Sequence, residues 1–170
     1  MTAVRGMRDP ARFLYNQYVE SGRKECAPAW FCAEAIKSRK ETIQMGKQAV
    51  HPGGPAPSAP YTPGIITGNL VFVSGQVPSN PETREVLRGD FEGEVRLCLA
   101  NVERILKAAG TDLEHCVKVV VFLADMDNFA RLNKVYSEYF GEVKPARSCV
   151  QVARLPLDVD VEIEAIATLP

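Results

Sequence analysis

The ten residues CVKVVVFLAD, Cys116–Asp125, constrain the fold more than any other stretch of this chain. Four valines and a phenylalanine in so short a run favour extended backbone. Alternation puts Val117, Val119, Val121 and Leu123 on one face of a strand and Val120 and Phe122 on the other. Both faces are apolar, so the strand belongs inside a sheet and is covered from both sides. Every other element must be arranged around it.

The neighbouring periods supply those elements. Ile65-Ile66-Thr67 and Leu70–Val73 flank Gly68-Asn69 and form a hairpin. In FEGEVRLCLANVERILKAAG, Val95, Leu99, Val102, Leu106 and Ala109 make one helical stripe, which Gly110 stops. After the central strand, Asp125 or Asp127 caps a second helix with Phe129, Leu132, Tyr136 and Tyr139 as its stripe, ending near Gly141. Two strands follow, about Ser148–Ala153 and Val159–Thr168, and a short one at Thr42–Met45 precedes the hairpin. The segment HPGGPAPSAPYTPG, residues 51–64, has five prolines and three glycines in fourteen residues. It cannot hold a helix and reads as an extended loop that delivers Tyr61. Residues 1–41 differ in composition and read as an accessory extension; 42–170 read as one domain.

The order ββ-α-β-α-ββ makes crossovers of one hand, so both helices should cover the same face of one mixed sheet. The other face keeps Val120, Phe122 and Ile166. Each is worth about 1.5–3 kcal/mol when buried, which points to self-association through the sheet.

Bulk composition narrows the function. Twenty Lys and Arg against 21 Asp and Glu leave a net charge of −1; neither nucleic acid nor an anionic membrane is favoured. Residues 42–170 carry twelve basic and sixteen acidic side chains, which weighs against RNA. No apolar run approaches the roughly 20 residues of a membrane span, and the N-terminus lacks the apolar core of a secretory signal, so the expectation is a soluble intracellular protein. The cytoplasm is the first expectation. Mitochondria are the alternative, because Arg5, Arg8 and Arg12 resemble a presequence. Five cysteines without a C-x-x-C pair argue for free thiols, and two histidines, His51 and His115, cannot build a multi-histidine metal site.

The polar residues that stand out are few. In VDVEIEAIATL, Glu162 and Glu164 share a face with Ile166, on the side assigned to association. Arg147, ahead of the core run Cys149, Val150, Val152, is the partner for these acids; on spacing alone an ordinary interface ion pair, or a strand end that is simply wet, is favoured over a site. Ser74 and Gly75 close a strand where backbone can approach a ligand. Asn133 lies four residues after Phe129, beside the buried edge of its helix, where a carboxamide needs partners. Cys149 reads as a small core residue, with nothing in sequence to activate it.

Taken together, LVFVSGQVP, VFLADMDNFARLNKVY, KPARSCVQVARLPLDVDVEIEAIA and the loop APYTPG resemble the Rid family, also called YjgF, over about Thr42–Pro170. The resemblance implies an α/β (α+β) fold of the chorismate-mutase-like type: a mixed β-sheet with two helices on one face. It implies a homotrimer with a central β-barrel and sites at subunit clefts. The implied activity is cofactor-free hydrolysis of 2-imino and enamine acids, 2-iminopropanoate and 2-iminobutanoate, to 2-oxo acids and ammonia. Arg147 matches the arginine that grips the substrate carboxylate, and Glu162 the glutamate that positions water. Tyr61, Ser74, Gly75, Asn133 and Cys149 match pocket-lining positions. Pro63 departs from the family's loop, which commonly reads G-P-Y-x-Q-A; it removes an amide donor and restricts Thr62, so Tyr61 transfers least securely. A non-catalytic ligand-sensing or chaperone-like trimer, and a ribonuclease or translation inhibitor, are the rival readings.

Overall fold

Gly68 takes a left-handed φ of 59° at the first place of a two-residue turn, and Thr67 pairs with Leu70 across it. That turn closes the hairpin the sequence predicts. The computed structural model describes residues 46–57 and 59–170. The 1–41 extension and the strand expected at Thr42–Met45 lie outside them. In chain order the elements are β1 (Gln48–Val50), β2 (Gly64–Thr67), β3 (Leu70–Gln76), α1 (Phe91–Ala108), β4 (Cys116–Leu123), α2 (Phe129–Tyr136), β5 (Ala146–Gln151) and β6 (Val161–Thr168). They form one six-stranded sheet in the order β1-β2-β3-β6-β4-β5, antiparallel except for the parallel β4–β5 pair.

Helix α1 carries its own start and stop. Asp90 accepts from the Gly93 amide at 3.1 Å, and Glu92 and Glu94 sit in the first turn, where the helix dipole favours negative charge. At the far end the Gly110 amide donates to Lys107 O and that of Thr111 to Leu106 O, with Gly110 at φ 87°. This pair of bonds satisfies carbonyls that the helix leaves open. Both helices bury their stripes against one sheet face. Val95, Leu99, Val102 and Leu106 from α1 and Leu132 and Val135 from α2 share a single core with Val71, Val119, Val121, Ile163 and Ala165. Truncating Leu99 or Leu132 to Ala would cost about 2–5 kcal/mol.

Two expectations need correction. Val117 is 47% exposed, while Cys116 takes the buried position. Cys116 pairs with Ala167 and Lys118 with Ile166, so Val117 is the extra residue of a bulge and leaves the face it was assigned to. Phe129 is 39% exposed instead of lying in the core stripe of α2. As the first residue of the helix, it turns its ring to the Arg147 guanidinium, 5.6 Å from the ring centroid. Asp125 caps the short turn Met126–Asn128 that precedes α2, accepting from the Asp127 amide, and α2 ends at Tyr136, short of Gly141.

The opposite sheet face is as bare as its pattern predicts. Phe72 and Val150 are exposed there, and Val120, Phe122 and Ile166 are half-buried. Among the described residues no helix is long and apolar enough to cross a membrane.

Candidate active site

Arg147 lies on the edge strand β5, in register with Val119 and, through it, with Ala165. Paired residues of neighbouring strands share a face, so its side chain enters the helix-covered side, beside α2. Helix α2 meets it with three residues at helical spacing, positions 129, 133 and 136. Arg147 Nη2 donates to Asn133 Oδ1 at 2.7 Å, and the guanidinium carbon stands 4.5 Å from the Tyr136 ring centroid and 5.6 Å from that of Phe129. Stacking on aromatic faces and a neutral carboxamide fix the fork without neutralising it. Among the described residues no carboxylate pairs with it, whereas Arg96 is bound to Glu138, Arg131 to Glu92 and Arg154 to Asp158. Next to it is a cavity of about 290 Å³ lined by Asn133, Tyr136, Ser137, Lys144, Pro145 and Arg147. The described residues that line this space include two cations and no acid.

Tyr136 and Cys149 complete the arginine side. Burial pushes the Tyr136 hydroxyl up to about 12, against the opposing effect of Arg147. Cys149, on the same face of β5, is likewise raised by burial and only partly offset by Arg147. A thiol held above its ordinary value is a poor nucleophile at neutral pH, in keeping with Cys149 as a packing residue.

The acid is elsewhere. Glu162 on β6 pairs with Phe122, which pairs with Val150, and these three share the open face. Burial, with Glu164 two residues on as a second cause, lifts its carboxyl above the ordinary value of 4.5. The carboxyl lies over Gly75: a Cβ there would stand 2.8 Å from Glu162 Cδ and closer still to Oε1. Gly75, in the irregular register of β3 between Val73 and Gln76, thus leaves the space in which the flexible end of the Glu162 side chain lies. Ser74 serves the loop. Its hydroxyl donates to Thr62 O at 2.7 Å and its amide to Pro63 O at 3.0 Å, so the carbonyl of Pro63 is used even though the residue has no N–H to give. Tyr61, two residues before Pro63, is 50% exposed.

The seven expected site residues thus fall into two groups. Arg147, Asn133 and Cys149 gather at the β5–α2 edge, and Glu162, Gly75, Ser74 and the Tyr61 segment gather around β3 and β6. Within one chain Arg147 and Glu162 face opposite sides of the sheet, and the ion pair considered from spacing does not form. Phe129 and Tyr136 stand against the Arg147 guanidinium; the stripe reading placed both in the core, where Tyr136 lies and Phe129 does not. Their signal was the spacing of four and seven that places 129, 133 and 136 on one helix face. Among the described residues no group of three His, Cys, Asp or Glu is placed to hold a metal ion.

Comparison with known proteins gives a consistent result. Residues 53–169 match the family model described as endoribonuclease L-PSP. A RutC family protein of Pyrococcus horikoshii is 51% identical over 113 residues, 66% of this chain and 90% of that one. The Escherichia coli protein named 2-iminobutanoate/2-iminopropanoate deaminase is 45% identical over 126 residues, 72% of this chain and 98% of that one. The crystal structure of Escherichia coli TdcF with bound serine superposes with a TM-score of 0.68 at 42% identity, covering 72% of this chain and 99% of the other. With the six-stranded sheet and two helices in place, the match over most of the chain is decisive: this chain belongs to the YjgF/Rid family of endoribonuclease L-PSP-like proteins.

Proposed function

We propose that the protein hydrolyses short 2-imino acids, 2-iminopropanoate and 2-iminobutanoate, to the 2-oxo acids and ammonia. The site is completed between neighbouring chains of a homotrimer. The observation that carries this reading is the Arg147 fork, which no described carboxylate pairs, held by Asn133 and two aromatic rings beside a cavity with no acid among its described lining residues. Such a fork takes a carboxylate bidentately and fixes the atom next to it. The deaminase names of relatives at 45–47% identity supply the reaction class.

Opposite faces within one chain become one crevice when the open face of a second copy meets the edge of the first. The apolar residues Phe72, Phe122, Val150 and Ile166 supply the surface for that contact. Repeating a head-to-tail contact of this kind closes a ring, and three copies is the family's implied number. Glu162 of the neighbour then faces the C2 carbon of a substrate whose carboxylate is on Arg147.

The chemistry needs little else. A protonated imine is already electrophilic at C2. Glu162, as carboxylate, takes a proton from water as its oxygen bonds to C2 and the C=N π pair moves to nitrogen. The carbinolamine that results is protonated on nitrogen by Glu162; as its C–N bond breaks, the C=O bond forms, the carbinolamine hydroxyl proton passes to the Glu162 carboxylate and from there to the departing ammonia, which leaves as ammonium. General acid–base help of this kind is worth about 10²–10⁴-fold. A carboxyl already lifted by burial is suited to both halves of the transfer. Such an activity belongs where imines are released by other enzymes, and we assign it to the cytoplasm.

The test is a threonine dehydratase reaction in the presence of semicarbazide, which traps the free imine. The protein should lower the yield of trapped imine at catalytic concentration. No change in trapping, with the assembly intact by light scattering, would sink the proposal and leave a binding role.

A further inference from the structure

At the other end of the same sheet face, three segments meet around a second cleft. The proline-rich loop contributes His51–Pro57, the β3–α1 connection contributes Ser79, Asn80, Pro81 and Arg84, and α1 contributes Asn101, Arg104 and Ile105. The cleft has a volume of about 130 Å³ and is partly open to solvent. Its construction is specific. Asn101 Nδ2 donates to Val77 O and Ser79 O at 3.2 and 2.9 Å, tying the connection to the helix. Asn80 Oδ1 accepts from the Glu82 and Thr83 amides, and the Arg84 amide closes the turn on Asn80 O.

That turn leaves Arg84 at φ 65°, in the left-handed region that a long side chain rarely enters. Backbone in this state tends to mark a position whose side chain has a purpose. Arg84 Nη2 reaches across to donate to Ala56 O. Arg104 reaches the same loop from the helix, its Nη1 donating to Gly53 O at 3.3 Å and weakly to Pro52 O at 3.5 Å, while its Nε is buried without a partner. Neither guanidinium forms an ion pair with a described carboxylate, and no Asp or Glu is among the described residues lining the cleft. A guanidinium has five donors; carbonyls take one or two from each here and supply no negative charge. His51 adds a further ring nitrogen to the wall.

We propose that this cleft binds a small oxyanion, a phosphate or carboxylate group, between Arg84 and Arg104. The cleft is distinct from the Arg147 cavity, with which it shares no lining residue. Tyr61 and Pro63 also wall it, so an anion bound here fixes the segment that carries Tyr61.

The experiment uses the full chain and inorganic phosphate, with 2-oxobutanoate as a carboxylate probe, at ionic strength matched by chloride. Titration calorimetry and thermal melts should show saturable binding and stabilisation beyond chloride. Arg84→Gly removes one guanidinium while placing at φ 65° the residue that adopts it most easily. It should melt at or above the parent temperature and bind phosphate about tenfold more weakly or worse, the loss expected for a charged hydrogen bond. Arg104→Gln should weaken binding similarly, and Arg147→Lys should leave phosphate binding intact. Binding of 2-oxobutanoate that survives Arg147→Lys and is lost in Arg84→Gly identifies a carboxylate site; binding of phosphate alone with the same Arg84 dependence identifies a phosphate site. Absence of saturable binding by either probe overturns the inference. So does affinity unchanged in both Arg84→Gly and Arg104→Gln, or affinity lost only in Arg147→Lys.

Discussion

Two arginines near α2 stand over aromatic rings, and they have opposite fates. Arg131 lies 5.1 Å from the Phe91 ring centroid and is closed by Glu92, with Nε at 2.9 Å from Oε1 and Nη2 bonded to Oε2. Glu92 is correspondingly drawn down to about 2, first by the hydrogen bond from Arg131. Arg147 stacks in the same manner but bonds only a neutral carboxamide, and Glu162, its counterpart, is pushed up by burial. Sheet geometry makes the difference. Placing Arg147 and Glu162 on opposite faces prevents them from quenching each other inside one chain, so the cation keeps an open fork and burial holds the acid above its ordinary value.

The sharpest way to break this comparison is to remove the acid. Glu162→Gln should lower kcat by about 10²–10⁴-fold, the range of a general acid–base residue. The same change at Glu92 should leave kcat alone. Stability moves the other way. A carboxyl raised on folding contributes stability that is complete below its unfolded pKa and is lost as pH rises through the folded one. Glutamine removes that loss, so Glu162→Gln should melt higher than the parent at pH 7.5 and gain nothing at pH 3.5. For the parent, kcat/KM should fall on acidification with its midpoint above 4.5, because the ionised form does the work. A limb at or below 4.5 would mean that Glu162 is not the titrating base.

Next in size is the fork itself. Arg147→Lys keeps the charge and loses bidentate geometry, so imine hydrolysis should drop about a hundredfold, the loss expected of charged hydrogen bonds, while the melting temperature stays within a degree or two. Arg131→Lys should show no loss of activity. Asn133→Asp goes further and turns the open arginine into a copy of the closed one. An aspartate in bonding distance of Nη2 competes with the substrate carboxylate, so KM should rise about tenfold with a smaller change in kcat. An unchanged KM in this variant would show that the fork does not bind substrate.

The elements were readable from their periods because each buries one continuous stripe, and the hairpin and the Gly110 stop are local chemistry that needs no tertiary information. Val117 was assigned to the wrong face because alternation assumes an unbroken register, and nothing in CVKVVVFL announces the extra residue. Phe129 was counted as core because spacing cannot tell an apolar neighbour from a cation. The separation of Arg147 from Glu162 depended on strand order: β6 inserts between β3 and β4 and leaves β5 at the edge. That arrangement is set by long-range packing. The residues of the site were therefore legible one at a time, and their division between two faces was not. The Arg84–Arg104 cleft was hidden for a related reason, since residues 20 apart in sequence converge on a loop whose composition promised only irregularity.

The smallest expected effects separate the two jobs of the rings beside Arg147. Phe129→Leu keeps much of the volume and removes the ring that stands 5.6 Å from the guanidinium. A partly exposed cation–π contact is worth about 0.5–1 kcal/mol, so KM should rise about two- to fivefold with kcat and stability nearly unchanged. Tyr136→Phe keeps the face at 4.5 Å and deletes a buried hydroxyl that has no partner among the described residues. An unsatisfied buried donor costs about 1–3 kcal/mol. Removing it should leave KM unaltered and raise the unfolding free energy by about 1 kcal/mol, measured by urea titration. If Tyr136→Phe instead raises KM as much as Phe129→Leu does, the hydroxyl is engaged with substrate, and the open arginine owes its orientation to a hydrogen bond in place of a stacked ring.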